Sequence, residues 1–368
     1  MAYLPLSTAN LPDPAINPAQ GSSPTDYFNT VTYTGNSSNP ASVTGVGFQP
    51  DFVWVKTRSF GNTNHRLQDV VRGSNKRLMS DLTSAEIDTA GGIQSFDSDG
   101  FTVGDGTSKD GFIHFAARTF AAWNWKANGS GVSNTDGSIT STVSANTESG
   151  FSIVSYSGAT DGSTVGHGLN QAPELVIFKN RDISSGWFVM GYPTNPTFTA
   201  DGSYLLLDGT SAMQDSGGNE IEIGSSLITF VDAGSSIGGA NSLTDRIIAY
   251  CFHSVEGFSK IGSYTGNGNA NGTFVYTGFR PAFILIKSST VSGSAWYLFD
   301  EERNIYNPLT FDLYANYSNA ESGSSSGRLD MLSNGFKMRS TSADTNSNGA
   351  TMIYMAFAEN PFKYSLAR

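Results

Sequence analysis

Cleavage of a glycosidic bond needs two carboxylates held roughly 5 to 10 Å apart across a cleft, and two acidic groups in this chain are dense enough to be weighed for it. Asp300-Glu301-Glu302 is one, and Glu220-Ile221-Glu222 is the other, with Glu220 and Glu222 on one side of an extended segment. Neither has a partner carboxylate evident in the sequence, so a turn and a solvated strand face account for them. Ser/His/Asp catalysis would need a base among His65, His114, His167 and His253. None lies in a nucleophile elbow or beside a Gly-rich oxyanion loop, and His167, between Gly166 and Gly168, reads as a turn residue. The histidines and the single Cys251 lack the close spacing of a zinc site, and Cys251 stands in an apolar run as a small buried hydrophobe. Asp97-Ser98-Asp99-Gly100 opens like a calcium loop, which makes Asp97 and Asp99 the cation candidates, but no Glu follows at the EF-hand distance. A hairpin turn explains it more simply. No catalytic residue, metal or cofactor is assigned, and the chain is read as a non-enzyme.

Sugar binding without chemistry asks only for an exposed aromatic ring flanked by polar groups. Trp187 and Trp296 hold matching places, eight and nine residues after Lys179 and Lys287. Trp296 is followed by Asp300, Arg303 and Asn304, so these four, with Trp187, are the glycan candidates. Burial in a core is the competing reading, since large aromatics dominate buried area in small sandwiches.

The elements that would position these residues are written three times. Tyr33-Thr34-Gly35 leads to Gly47-Phe48-Gln49-Pro50-Asp51-Phe52-Val53-Trp54-Val55-Lys56; Tyr156-Ser157-Gly158 leads to Pro173 and Lys179; Tyr264-Thr265-Gly266 leads to Gly278-Phe279-Arg280-Pro281 and Lys287. Tyr and Lys are 23 residues apart in every copy, and self-similarity at fixed spacing means one structural unit repeated. Each copy closes on an Ala before an aromatic: Ala122-Trp123, Ala249-Tyr250 and Ala356-Phe357. The nearly continuous apolar residues before each Lys predict a buried strand, entered at Pro50, Pro173 and Pro281. Each Lys head is expected to emerge at a sandwich edge and pair locally. Ser98-Asp99-Gly100-Phe101 and Ser333-Asn334-Gly335-Phe336 are matching hairpin turns, and Met79–Thr89 is expected to carry a short helical turn capped by Ser80 or Asp81.

Composition agrees with many short strands and tight turns. Gly numbers 41, charged residues are 14%, and aromatics are 12%, which suits pleated faces joined by turns of positive φ. The expected fold is all-β: three tandem β-sandwich, jelly-roll-like repeats at 26–127, 150–256 and 257–368, with a linker at 128–149. An extended arm over residues 1–25 precedes them, because five prolines deny it a helix or a central strand. Leu11, Pro12, Pro14, Tyr27 and Phe28 are its expected assembly contacts, made to a neighbouring subunit. A net charge of −11 argues against nucleic-acid or anionic-membrane partners. No Lys or Arg precedes Lys56 and no apolar h-region is visible, so the chain is expected to lack a signal peptide and to be soluble.

The Gly-Phe-x-Pro-x-Phe-Val-x-Val-Lys pattern, the Ser263–Gly268 stretch, the opening Leu6–Pro14 and the ending Ala356-Phe357-Ala358-Glu359-Asn360-Pro361-Phe362-Lys363-Tyr364 resemble an uncharacterised domain recurring in virion proteins of marine tailed phages, particularly cyanophages. The second copy departs most, with Leu169 in place of the Phe and two extra residues before Pro173. The resemblance implies a structural component of a bacteriophage virion, made in the host cytoplasm and associated with tail or tail fibre. It would assemble with other virion proteins and as a homo-oligomer, with host-surface polysaccharide as a further partner in attachment. A capsid-decorating protein is the alternative, and a virion carbohydrate-active enzyme the lesser one. No heptads or collagen-like period supply the shaft of a long fibre.

Overall fold

The computed structural model describes residues 11–88, 91–104, 113–191, 202–215, 221–231, 238–323, 327–361 and 363–364. The described residues are almost all β, in antiparallel sheets. Three large sheets share a four-strand order. In the first, Phe28–Thr34 lies beside Thr119–Trp125, then Phe52–Thr57, then Arg66–Asp69. The second runs Phe151–Ser157, Arg246–Phe252, Leu175–Asn180, Trp187–Met190, and the third Ser259–Thr265, Thr351–Pro361, Phe279–Ser288, Tyr297–Asp300, each with further strands outside this set. A three-stranded sheet accompanies each large one: Ala41–Thr44, Gly100–Val103 and Ile93–Asp97; Ser163–Gly166, Leu227–Phe230 and Ile221–Ile223; Phe274–Tyr276, Gly335–Met338 and Leu329–Leu332.

The Lys-terminated strands show why the apolar runs are continuous. Side chains alternate across a strand, and here both faces are covered. Val53 and Val55 enter a core beneath the first small sheet, Val176 and Phe178 a second, Ile284 and Ile286 a third. Phe52, Trp54, Leu175, Ile177, Phe283 and Leu285 point the other way, into one core shared by all three large sheets. There Phe28 stacks on Phe357 at 4.9 Å between ring centres, Phe52 on Tyr250 at 4.4 Å, and Phe252 meets Phe357 at 6.1 Å. Three sandwiches standing in a row would leave these inner faces in water; they close on one another instead, because each buried aromatic adds on the order of 2 kcal/mol of apolar burial.

Other expectations are corrected. Residues 128–149 are not a free linker: Val132–Asn134 and Ser141–Asn146 extend the second sheet beside Phe151–Ser157. An edge strand needs only one covered face, and Val143 with Ile139 supplies it. Over Met79–Asp88 no helix forms; the chain runs extended and ends in the two-residue strand Ile87–Asp88. The paired hairpins do form, and Gly100 and Gly335 are required there, at φ 143° and 159°, since a Cβ would collide with the carbonyl of Val43 or Val275.

The described part of the arm lies on its own chain. Ile16 is buried in the central core, Pro14 packs on Gly257, and Asp13 pairs with Lys363 at 2.6 Å. Leu11 and Pro12 border a cleft with Pro361 and Lys363. Tyr27 donates to Glu148 at 2.7 Å, and Phe28 opens a core strand with 1% of its surface exposed. Tyr27 and Phe28 are therefore intramolecular contacts, drawn in by the ring cluster around Phe357, and Met1–Asn10 lie outside the described residues.

Candidate functional site

The three lysines do not emerge at sheet edges. Lys56, Lys179 and Lys287 are buried, and each head reaches a carbonyl carried by another sheet set. Lys179 Nζ donates to Thr83 O at 3.1 Å, Asn180 O at 2.8 Å and Ser185 O at 3.0 Å. Lys56 reaches Ser318 O at 3.4 Å and Thr57 O at 3.1 Å; Lys287 reaches Thr210 O at 3.3 Å and Ser288 O at 3.0 Å. The first set thus takes a carbonyl from the third, the second from the first, and the third from the second. Burial lowers each ammonium to about 8, and the nearby carboxylates of Asp81, Asp208 and Asp344 offset this only in part. They are spread over three seams rather than gathered in one cleft.

The glycan candidates lie in the same seams. Trp187 and Trp296 are buried, and their Nε1 atoms donate to Met79 O at 2.9 Å and Leu206 O at 2.8 Å. His65 takes the matching place in the first set, with Nε2 2.8 Å from Tyr314 O. A sugar cannot stack on a ring covered on both faces. Asp300 and Arg303 are buried as an ion pair at 2.5 Å, and Trp123 Nε1 donates to the same carboxylate at 3.0 Å. The first set repeats this: Asp69 pairs with Arg72 at 2.5 Å and accepts from Tyr250 Oη at 2.7 Å. Glu321 bridges Arg303 to Arg58, and Glu86 bridges Arg72 to Arg181, so two seams carry a buried charge network. The third is apolar at these places: Met213 makes the backbone bond to Ser289 that Glu86 and Glu321 make to Arg181 and Arg58. Asp97 and Asp99 serve their hairpin, accepting from Ser95 and Thr102 and from the amides of Gly45 and Gly47.

Of the sequence candidates, Asn304 opens onto something different. A cleft of about 270 Å³ is lined by Arg280, Glu301, Asn304, Ile305, Tyr306, Asn307 and Met331. Arg280 sits where the Phe279–Ser288 strand shifts register against Thr351–Pro361, and such a bulge re-aims the side chain. Its guanidinium forms an ion pair with Glu359 and lies 3.4 Å from Glu301, and its Nη1 is buried without a partner. Glu301 and Glu359 share a hydrogen bond, and burial together with that neighbour pushes the Glu301 carboxyl up to about 8, so it keeps its proton at neutral pH. Asn304 Oδ1 accepts from the amides of Thr310 and Phe311 at 2.9 and 3.3 Å, which leaves Nδ2 buried and unpaired. Asn307 exchanges two hydrogen bonds with the Met331 backbone, at 2.7 and 2.9 Å. Between these clamps Ile305 is 56% exposed and Tyr306 79%. Neither Arg280 nor Tyr306 is a sequence candidate, although an Ile-Tyr pair inside Asn304–Pro308 is a legible sign of an exposed ring. Of the acidic groups weighed for glycoside cleavage, Glu220 lies outside the described residues, and Glu222 stands exposed on Ile221–Ile223.

A family of domains of unknown function, DUF7483, matches residues 23–361. The chain belongs to this family. No curated protein matches it. The matched span takes in all three large sheets of the DUF7483 domain, its seams and the Arg280–Tyr306 cleft. Within the domain, Cys251 is buried and its thiol is pushed up to about 12 by desolvation. His65, His114, His167 and His253 are all shifted below their ordinary range, chiefly by burial. Among the described residues, no group of three His, Cys, Asp or Glu side chains could hold a metal.

Proposed function

We propose that this DUF7483 chain is a structural and adhesive component of a tailed-phage virion, associated with tail or tail fibre, and not an enzyme. The observation that carries the reading is the three-way closure: three sheets share one aromatic core, and their seams are tied by buried lysine and ring N–H donors. A body closed in this way resists local opening, which suits a part that must stay folded outside a cell. The Gly-Phe-x-Pro motif, present at Gly47 and Gly278 and resembling marine phage virion proteins, supports the location. Against glycoside cleavage by the Asp300-Glu301-Glu302 group stands the state of Glu301: it is hydrogen-bonded to Glu359, whereas that reaction needs its two carboxyls separated by roughly 5 Å or more. Assembly with other virion proteins or with further copies of the chain is assigned to the Pro-rich arm over residues 1–25, whose Leu11 is exposed beside an open cleft.

The test is location. Antibody against the chain, applied to purified particles of the encoding virus and read by immunogold microscopy, should label the tail. Head labelling would select the decorating alternative, and particles without the chain would refute the proposal.

A further inference from the structure

The Arg280–Tyr306 cleft differs from the two larger ones. The cleft of about 490 Å³ beside Pro14 and Lys260 has no orphaned donor in its walls, and in the one of about 440 Å³ beside Glu148 the orphan is His253 Nε2, without a widely exposed ring. Here two donors, on residues only 5% and 7% exposed, lack acceptors, next to a tyrosine standing in solvent. Leaving buried donors unpaired is unfavourable by about 1–3 kcal/mol each, so the site favours a ligand that brings oxygen acceptors. An exposed Ile-Tyr pair held by two asparagine clamps is a preorganised apolar platform, and preorganisation lowers the entropy lost on binding.

The charge of the wall narrows the ligand. The Arg280 cation is already matched by Glu359, and the protonated Glu301 adds no charge. An anion would meet no uncompensated cation, and an ammonium no free carboxylate. What fits is a neutral ligand with one apolar face and several hydroxyls. We infer that the Arg280–Asn304–Tyr306 cleft binds a neutral pyranose unit of a polysaccharide, with the ring of Tyr306 stacked on the sugar and Arg280 Nη1 and Asn304 Nδ2 donating to its oxygens.

This rests on the adhesive part of the proposed function but not on the location in a virion. Affinity electrophoresis of the full chain through gels containing dextran, laminarin, galactomannan or xylan tests it, with dextran sulfate as the anionic probe. Retardation by at least one neutral polysaccharide is expected, with Tyr306→Ala weakening it roughly tenfold and Tyr306→Phe retaining it. Tyr306 is mostly exposed, so both variants should fold, and an unchanged melting curve checks this. Asn304→Leu, folded or not by the same curve, reports the donor separately. Retardation by none of the four, or by dextran sulfate alone, or retardation that Tyr306→Ala leaves unchanged, overturns the inference. A chain that binds polysaccharide yet is absent from particles would sink the location and leave this site standing.

Discussion

Replacing Lys179 by Met removes one buried ammonium and leaves Thr83 O, Asn180 O and Ser185 O without their donor. Three orphaned carbonyls would be unfavourable by about 3–9 kcal/mol in sum. The substitution also relieves the desolvated charge: a fall from 10.5 to about 8 corresponds to about 3 kcal/mol at neutral pH. The net expectation at pH 7 is destabilisation on the order of 3 kcal/mol. Its signature lies in the pH dependence. Around pH 8 the folded chain releases the protons of Lys56, Lys179 and Lys287, while the unfolded chain holds them up to about 10.5. The unfolded state therefore binds more protons in that window, and stability must rise with pH, by up to about 1.4 kcal/mol per unit for each lysine. Glu301, raised to about 8, opposes the trend because the folded chain holds a proton that the unfolded chain has lost. The raised Cys251 thiol and then the buried tyrosines oppose it further toward higher pH, but across pH 8 to 9 the three lysines outweigh them. Urea unfolding followed by tryptophan fluorescence should show stability rising across that interval, with Lys179→Met losing about a third to a half of the net slope, since Glu301 and Cys251 offset part of what the three lysines contribute. A flat or falling profile, or an unchanged slope in the variant, would refute the assignment of these lysines as buried cations of the seams.

Two further outcomes are open to the same unfolding assay. Glu86→Gln removes the carboxylate that both Arg72 and Arg181 address, and should destabilise by about 3–5 kcal/mol as a broken buried pair; a loss below about 1 kcal/mol would show the network to be solvent-screened. Gly335→Ala places a Cβ against the Val275 carbonyl, and a loss of about 2 kcal/mol or more is expected, whereas Gly293→Ala, with open space around it at φ 88°, should lose less.

Much of the local architecture can be read from residue order. A strand alternates its side chains with period two, so Phe52-Val53-Trp54-Val55-Lys56 announces a strand covered on both faces. The even positions even place the Lys head on the same side as Phe52 and Trp54. Gly100 and Gly335 follow likewise from a turn that no side chain can enter. The recurrence of these signals makes the chain all-β before any contact is known. What covers each face is a different kind of question. Whether Lys179 ends in water or on Thr83 O, whether Trp296 greets a sugar or Leu206 O, and whether Ile16 touches another subunit or its own core depend on how three sheets close together. The first two of those contacts join residues 96 and 90 positions apart, and the energy of all three comes from desolvating whole faces at once, which no local pattern encodes. The carboxyl pair of Glu301 and Glu359 belongs to that second kind. Each Glu alone is a solvated acid in a turn or at a strand end. Only when the strands carrying them pair through Arg280 does one of them keep its proton and leave a neutral cleft beneath Tyr306.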